Sequence, residues 1–255
     1  MAVANKIREK HADADILFVG AKGKMEMTKV PEAGFEIIGL NIAGLQRRLT
    51  LENLLFPLKV ISSFLASLKI IKSFNPDVVV GFGGYASSPI TLAASRKSVP
   101  VVLQEQNSYA GLANKSVAKR AKKICVAYQG MDKFFPSDKL ILTRNPVRDK
   151  IKNLQLKRDQ GISHFGLDAN RKTILVVGGS LGARTLNESV IQNINQIKDS
   201  PYQVIWQSGS YYYKDMKSRM AGNSATNIHL VEFIREMDMA YAAADIIISR
   251  AGALT

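Results

Sequence analysis

Two glycine-rich turns, each placed between an apolar β-run and a helix start, most constrain what this chain can fold into. Gly81-Phe82-Gly83-Gly84 follows Asp77–Val80, and Gly178-Gly179-Ser180-Leu181-Gly182 follows Ile174–Val177. Such a turn leaves backbone N–H groups unpaired at a helix N-terminus, where the helix dipole also favours negative charge. Two of them roughly a hundred residues apart predict two similar domains that face one anionic ligand, and a nucleotide is the simplest such ligand.

Strand-like runs alternate with helical patterns along the chain, which is typical of parallel α/β layers. Eight strands are predicted: Ile16–Gly20, Val78–Val80, Val99–Leu103, Ile124–Ala127, Ile174–Val177, Gln203–Gln207, Ile228–Val231 and Ile246–Ser249. The polar stretch after Asn145-Pro146-Val147-Arg148 predicts a boundary between domains 1–147 and 148–255. Because a helical pattern precedes the first strand and the chain stops at a further strand-to-glycine turn, we expect an internal piece of a longer protein.

The charge balance indicates an anionic partner. The chain carries 35 Lys and Arg against 21 Asp and Glu, a net charge of +14. Aromatic residues are not interleaved with the basic clusters, and zinc-finger spacing is absent from the sequence, so a nucleic-acid partner is not expected. The sequence contains no apolar run near the ~20 residues of a membrane span and no signal-peptide pattern. A cytoplasmic location follows as an expectation.

A short basic and apolar segment suits a membrane surface. Leu54, Leu55 and Phe56 lie a few residues after Arg47 and Arg48. If these apolar side chains are exposed, they would enter a membrane interface while the arginines meet anionic headgroups. The helix that follows carries six apolar residues that we expect to face the core: Val60, Ile61, Phe64, Leu65, Leu68 and Ile71.

Familiar nucleotide motifs are missing from the sequence. The second turn does not have G-x-G-x-x-G spacing, and the next strand ends in Trp206-Gln207-Ser208-Gly209 without an acidic ribose ligand. A phosphate cradle from the Ser180 hydroxyl and the following amides remains. Glu105, which follows the third predicted strand, is either a general base or an anchor for its loop. The three histidines lie far apart, so no metal site is predicted.

Seven motifs in one order make the chain resemble the MurG family, which transfers N-acetylglucosamine from UDP to a lipid-linked muramyl-pentapeptide to make lipid II. The motifs are Asp77–Tyr85, Pro100–Asn107, Gly111–Lys115, Asn145–Arg148, Gly178–Arg184, Glu232–Ile234 and Ser249–Thr255. The resemblance implies a GT-B fold of two Rossmann-like α/β domains with parallel sheets, both incomplete at the chain ends. It also implies an inverting transferase that is peripheral to the cytoplasmic face of the bacterial inner membrane.

The resemblance further implies roles for particular residues. The UDP-sugar would contact Asn107, Arg148, Ser180, Ile234, Ala253, Leu254 and Thr255. The acceptor side would hold Gly83, Gly84, Tyr85, Glu105 and Gln106, and the membrane patch would be Arg47, Arg48, Leu54, Leu55 and Phe56.

The catalytic base stays unassigned. The family's proposed base histidine would precede Met1, and Gln104 stands where many members carry a histidine. Glu105 is the one remaining candidate, and this chain by itself is expected to have little activity. The implied partners are UDP-N-acetylglucosamine, undecaprenyl-linked lipid I and the anionic inner-membrane surface, with no cofactor and no obligatory metal.

Two alternatives share these features. One is another GT-B enzyme that uses UDP-sugars, such as a UDP-N-acetylglucosamine epimerase. The other is a non-catalytic module that binds a nucleotide or a membrane surface without turnover.

Overall fold

A computed structural model describes residues 1–42, 56–146, 154–223 and 225–252, apart from the side chains of Phe56, Gln155 and Leu156. These residues divide into two compact units. The first spans Met1–Pro146, and the second holds the described residues beyond it.

The first unit alternates strands and helices. Its elements are α1 (Ala2–Lys10), β1 (Leu17–Ala21), α2 (Glu26–Glu32), β2 (Glu36–Leu40), α3 (Phe56–Phe74), β3 (Val79–Gly81), α4 (Ser87–Arg96), β4 (Val101–Glu105), α5 (Leu112–Val117), β5 (Lys123–Val126) and β6 (Leu140–Leu142). Strands β1 and β2 pair in parallel, and β3, β4, β5 and β6 form a second parallel sheet in that order. The carboxyl ends of β3 and β4, with the turns that follow them, therefore lie at one edge.

The core of this unit forms where helix α4 packs on the sheet. Leu103 of β4 and Ile124 of β5 are almost fully buried, and they belong to the same cluster as Ala93 and Ala94 of α4. The small side chains of Ala93 and Ala94 allow α4 to pack closely against the strands.

The second unit has a parallel sheet covered on both faces. After a 3₁₀ turn (Leu154–Lys157) come α6 (Arg158–Phe165), β7 (Thr173–Val177), α7 (Arg184–Gln192), α8 (Ile194–Lys198), β8 (Gln203–Gln207), α9 (Tyr213–Met220), β9 (Ile228–Val231), α10 (Met237–Ala243) and β10 (Ile246–Ser249). The strand order is β10-β7-β8-β9. One core cluster contains Leu175 and Ile205, and a second contains Val176 and Trp206. Neighbouring residues of β7 and β8 thus point to opposite faces of the sheet.

The prediction of two α/β units with parallel sheets is confirmed. All eight predicted strands form, with bounds within two residues of those expected. Strands β2 and β6 were missed in the sequence. Only three residues make up β6, and β2 is a short run interrupted by Gly39, so neither gives a strong pattern.

The prediction for the buried face of α3 was wrong in part. Three of the residues that we expected in the core are exposed: Val60 (36%), Ile61 (57%) and Leu65 (53%). Ser63 and Ser67 are buried instead. The Ser67 hydroxyl donates to the Ser63 carbonyl at 2.7 Å, and the Ser63 hydroxyl donates to the Asn41 carbonyl at 3.1 Å. Because both hydroxyls are satisfied inside the protein, burying them costs little, and an apolar stripe is left facing outward.

Candidate functional site

The glycine turn of the second unit is locked against the turn that follows β8. Gly179 and Gly182 have φ of +88° and +87°, a region that side chains other than glycine rarely adopt. A Cβ on Gly182 would lie 2.0 Å from the Ser208 carbonyl oxygen, and one on Gly209 would lie 2.1 Å from the Gly182 nitrogen. The two turns therefore touch backbone to backbone, and only glycine fits at either contact.

Hydrogen bonds hold two successive carbonyl groups of this turn. The Gly179 carbonyl accepts from the Gly182 N–H at 2.9 Å and from Gln207 Nε2 at 3.1 Å. The Ser180 carbonyl accepts from the Ser210 N–H at 3.2 Å and from the Ser210 hydroxyl at 3.4 Å. Within the described residues, the N–H groups of Ser180 and Leu181 donate to no partner. A turn with occupied carbonyls and free amides beside a helix N-terminus is suited to binding an anion.

Asn187 joins the first turns of α7 to strand β8. This buried side chain donates from Nδ2 to the Ser208 carbonyl at 2.9 Å, and its Oδ1 accepts from Trp206 Nε1 at 2.9 Å. The start of the helix is therefore fixed relative to the sheet. Sequence reasoning missed Asn187, Gln207 and Ser210. The available signal was a glutamine closing the apolar run Val204-Ile205-Trp206.

In the first unit, the Glu105 carboxylate fixes the loop after β4. Its Oε1 accepts from the N–H and the Nδ2 of Asn107, both at 3.1 Å. Its Oε2 accepts from the Gly111 N–H at 3.0 Å and from Asn114 Nδ2 at 2.9 Å. Glu105 is only 2% exposed. Through these four hydrogen bonds the buried carboxylate holds the loop in place.

The neighbouring polar residues link this loop to the glycine turn after β3. Gln106 Nε2 donates to the Phe82 carbonyl at 3.2 Å, and Asn145 Nδ2 donates to the Gln106 carbonyl at 3.2 Å. In the glycine turn, Gly83 and Gly84 have φ of +79° and +82°, and the Tyr85 side chain is exposed. The structure thus gathers the five residues expected on the acceptor side: Gly83, Gly84, Tyr85, Glu105 and Gln106.

The residues expected at the UDP-sugar have different environments. Asn107 and Ser180 are exposed at their loops. The Ile234 side chain is 5% exposed and packs in a core cluster with Leu175 and Ile205, so a ligand contact there would use the main chain. The other expected contacts lie outside the described residues: Arg148, Ala253, Leu254 and Thr255.

The membrane patch also falls outside the residues that the structure describes. Arg47, Arg48, Leu54 and Leu55 are not among them, nor is the side chain of Phe56. Among the described residues, none of the helices combines the length and the apolar character that a bilayer span requires.

Titratable groups give little further indication of chemistry. His229 is partly buried, and burial lowers its pKa. Gln104, at the position before Glu105, is buried, and its Nε2 donates to the Arg144 carbonyl at 3.4 Å. Across the described part of the chain, no cluster of three or more His, Cys, Asp or Glu side chains has a geometry that would hold a metal ion.

Comparison with known families identifies the class of this α/β protein. The chain matches the glycosyltransferase family 28 N-terminal domain over residues 1–126 and the glycosyltransferase family 28 C-terminal domain over residues 173–255. It is 50% identical over 253 residues to the UDP-N-acetylglucosamine--N-acetylmuramyl-(pentapeptide) pyrophosphoryl-undecaprenol N-acetylglucosamine transferase of Flavobacterium psychrophilum, covering 99% of this chain and 68% of that protein. A transferase of the same name from Cytophaga hutchinsonii is 50% identical over 255 residues, covering 100% and 68%.

Solved structures agree with the sequence relatives. The crystal structure of Acinetobacter baumannii MurG superposes with a TM-score of 0.68 at 27% identity, covering 99% of this chain and 69% of that one. A UDP-GlcNAc 2-epimerase from Neisseria meningitidis bound to UDP-GlcNAc shares the fold, with a TM-score of 0.65 at 17% identity over 100% and 74% of the chains. The chain belongs to the MurG family of glycosyltransferases, which confirms the resemblance drawn from its seven motifs.

Proposed function

We propose that this chain carries the framework of a transferase that moves N-acetylglucosamine from UDP to the 4-hydroxyl of undecaprenyl-pyrophosphoryl-N-acetylmuramyl-pentapeptide. The observation that carries the proposal is 50% identity, over 99% of the chain, to a protein named for this transfer. The two glycine turns and their polar neighbours lie within the aligned region, and their geometry suits nucleotide and acceptor chemistry.

The second unit supplies the donor site in this proposal. Breaking the bond between the sugar and UDP leaves negative charge on the departing pyrophosphate. The N–H groups of Ser180 and Leu181 have no partner within the described part of the chain. Together with the N-terminus of α7 they would stabilise that charge as it forms. The exposed Ser180 hydroxyl adds a further donor.

The first unit supplies the acceptor side. The incoming 4-hydroxyl must lose its proton to a base during the transfer. Glu105 is engaged by four donors from Asn107, Gly111 and Asn114, so we assign it the role of loop anchor. It presents Asn107 at the surface, and the neighbouring Gln106 ties the loop to the glycine turn through the Phe82 carbonyl. The base is left unassigned.

Association with an anionic membrane surface is part of the proposal. Helix α3 exposes Leu58, Ile61 and Leu65, which line a shallow groove together with Ser62, Ala66 and Lys69. Amphipathic surfaces of this kind enter the headgroup region of a bilayer, and lysines strengthen binding to anionic lipids. The net charge of +14 acts in the same direction. A lipid-linked acceptor would then meet the enzyme at the cytoplasmic face of the inner membrane.

Product analysis tests the proposed reaction directly. The protein that contains this chain is incubated with UDP-N-acetylglucosamine, with and without the lipid-linked acceptor. We expect UDP release and a disaccharide lipid only when the acceptor is present. Formation of an epimerised UDP-sugar without acceptor would instead identify an epimerase. UDP binding with neither product would identify a non-catalytic nucleotide-binding module.

A further inference from the structure

We propose that Gln207 is a positioning residue for the pyrophosphate of the donor, an inference that rests on the proposed UDP-sugar site. Gln207 closes strand β8 and is 1% exposed, so a bound nucleotide would not need to touch it. It would act through the glycine turn after β7, by holding one peptide group of that turn in a single orientation.

The argument starts from the planarity of the peptide bond. In a trans peptide the C=O and the following N–H point in opposite directions. Gln207 Nε2 and the Gly182 N–H both donate to the Gly179 carbonyl, at 3.1 and 2.9 Å. Two donors on the protein side keep this carbonyl turned inward. The N–H of Ser180, which belongs to the same peptide group, is therefore turned away from them.

Gly179 makes this orientation accessible but does not select it. Its φ of +88° lies where glycine moves freely, so the peptide between Gly179 and Ser180 has little intrinsic preference. If this peptide turned over, it would direct a carbonyl oxygen at the pyrophosphate and repel it. The hydrogen bond from Gln207 therefore favours the orientation that binds an anion.

The surroundings of the Gln207 side chain indicate that its hydrogen bond to the Gly179 carbonyl determines its position. The other end of the side chain, Oε1, is buried and has no hydrogen-bond partner among the described residues. An unsatisfied buried acceptor is costly, and a leucine or methionine would fill this core position without it. The amide is explained if its Nε2 is required at the Gly179 carbonyl.

Gln203 provides a matched control on the same strand. It is also a buried glutamine of β8, but its Nε2 donates to the Asp168 carbonyl at 2.8 Å and to the Thr173 hydroxyl at 3.0 Å. Those contacts lie at the amino end of the strand, away from the glycine turn. Gln203→Met removes these contacts and the hydrogen bond from the Asp168 N–H, whereas Gln207→Met removes one hydrogen bond at the opposite end of the strand. The control is therefore the more disruptive substitution of the two, but it lies away from the glycine turn.

The experiment compares the affinities of UDP and uridine by calorimetry or NMR titration. Gln207→Met should weaken UDP binding about ten-fold, the equivalent of one hydrogen bond, and leave uridine affinity within two-fold because uridine has no pyrophosphate. Gln203→Met should change neither affinity. If Gln207→Met leaves UDP binding unchanged, or weakens both ligands equally, the positioning role is wrong.

A measurement on the wild-type protein covers the case in which Gln207→Met does not fold. UDP should shift the amide NMR signals of Ser180 and Leu181, and uridine should leave them unchanged. UDP binding without those shifts would overturn the inference. If UDP binding depends on Gln207 but no sugar is transferred, the positioning role is retained and the proposed transfer reaction is wrong.

Discussion

At the scale of single residues, the described site is organised by polar side chains that hold backbone groups. Glu105 gathers donors from three residues of its own loop region, and Asn187 joins Ser208 to Trp206. Both side chains are buried, and each of their polar atoms has a hydrogen-bond partner. Their contribution is to fix loops at the carboxyl ends of the strands, where open α/β sheets bind ligands.

The anchor role of Glu105 is tested by Glu105→Gln. The side-chain NH2 group of the new glutamine would face the N–H groups of Asn107 or of Gly111, and neither side could accept a hydrogen bond. We therefore expect a loss of about 3 kcal/mol in the free energy of unfolding. Denaturant titration measures this loss. In the protein that contains this chain, the transfer rate of the variant should still fall at low pH as it does in the wild type, because the substitution removes no base. Disappearance of that fall in rate in a variant of normal stability would identify Glu105 as the base.

At the scale of secondary-structure elements, helix α3 shows how packing selects a face. Its apolar residues extend around most of the helix, so the stripe that we expected from the periodicity is only partly the face that packs. Small side chains at Ser63 and Ser67 allow close packing against the rest of the unit, while the bulkier Leu58, Ile61 and Leu65 remain outside. Arg96 of α4 lies 5.0 Å from the centre of the Phe64 ring and covers part of the helix.

Membrane binding by α3 is tested with the double variant Ile61→Ser and Leu65→Ser. Removing two exposed apolar side chains should weaken binding to phosphatidylglycerol-rich vesicles about ten-fold, with little loss of stability. Sedimentation of the protein with vesicles measures the change. Met25→Ser, which removes an exposed apolar side chain next to α2, is the control. Equal binding by the double variant and the wild type would exclude this stripe as the membrane contact.

Asp245 joins three elements of the second unit: α6, β7 and β10. Its carboxylate accepts from the Thr173 N–H at 2.9 Å, from Lys172 Nζ at 3.0 Å and from Arg158 at 3.1 Å. Partial burial opposes ionisation, but these donors and cations outweigh it and lower the pKa of Asp245 to about 2. A depressed folded-state pKa stabilises the protein above the unfolded value and loses that effect as the pH falls.

We therefore expect Asp245→Asn to destabilise the protein by about 2 kcal/mol at pH 7, and the deficit to shrink as the pH falls from about 4 to about 2. Urea unfolding of both proteins across this range measures the difference. Asp13→Asn, at an exposed position, is the control and should be close to neutral. A deficit that stays constant down to pH 2 would contradict the assigned role of ionised Asp245.

At the scale of the whole molecule, the chain consists of two units that each have their own core. The first unit packs around Leu103 and Ile124, and the second around Leu175 and Ile205 on one face of its sheet and Trp206 on the other. Because the cores are separate, we expect a ligand bound to one unit to stabilise that unit more than the other.

Hydrogen exchange with and without UDP tests which unit holds the nucleotide. At a UDP concentration about a hundred times the Kd, binding adds about 2.7 kcal/mol of stability. We expect the added protection within residues 154–252, strongest at the turns around Ser180 and Ser208. Amides of residues 1–42 are the internal control. Added protection confined to 1–146 would place the nucleotide on the first unit.

The sequence by itself determined the fold class, the family and eight of the ten described strands, because apolar runs, glycine turns and ordered motifs are local properties of the chain. Only the tertiary structure decided which face of α3 is buried, since that depends on which side chains fit the neighbouring helix. It also decided that Glu105 is surrounded by donors and that Gln207 reaches the carbonyl of Gly179. Gln207 and Gly179 are 28 residues apart in sequence. The donors to Glu105 lie within nine residues of it, but only the folded path of the loop brings all of them to one carboxylate. No local pattern encodes the packing that brings these groups within hydrogen-bond distance.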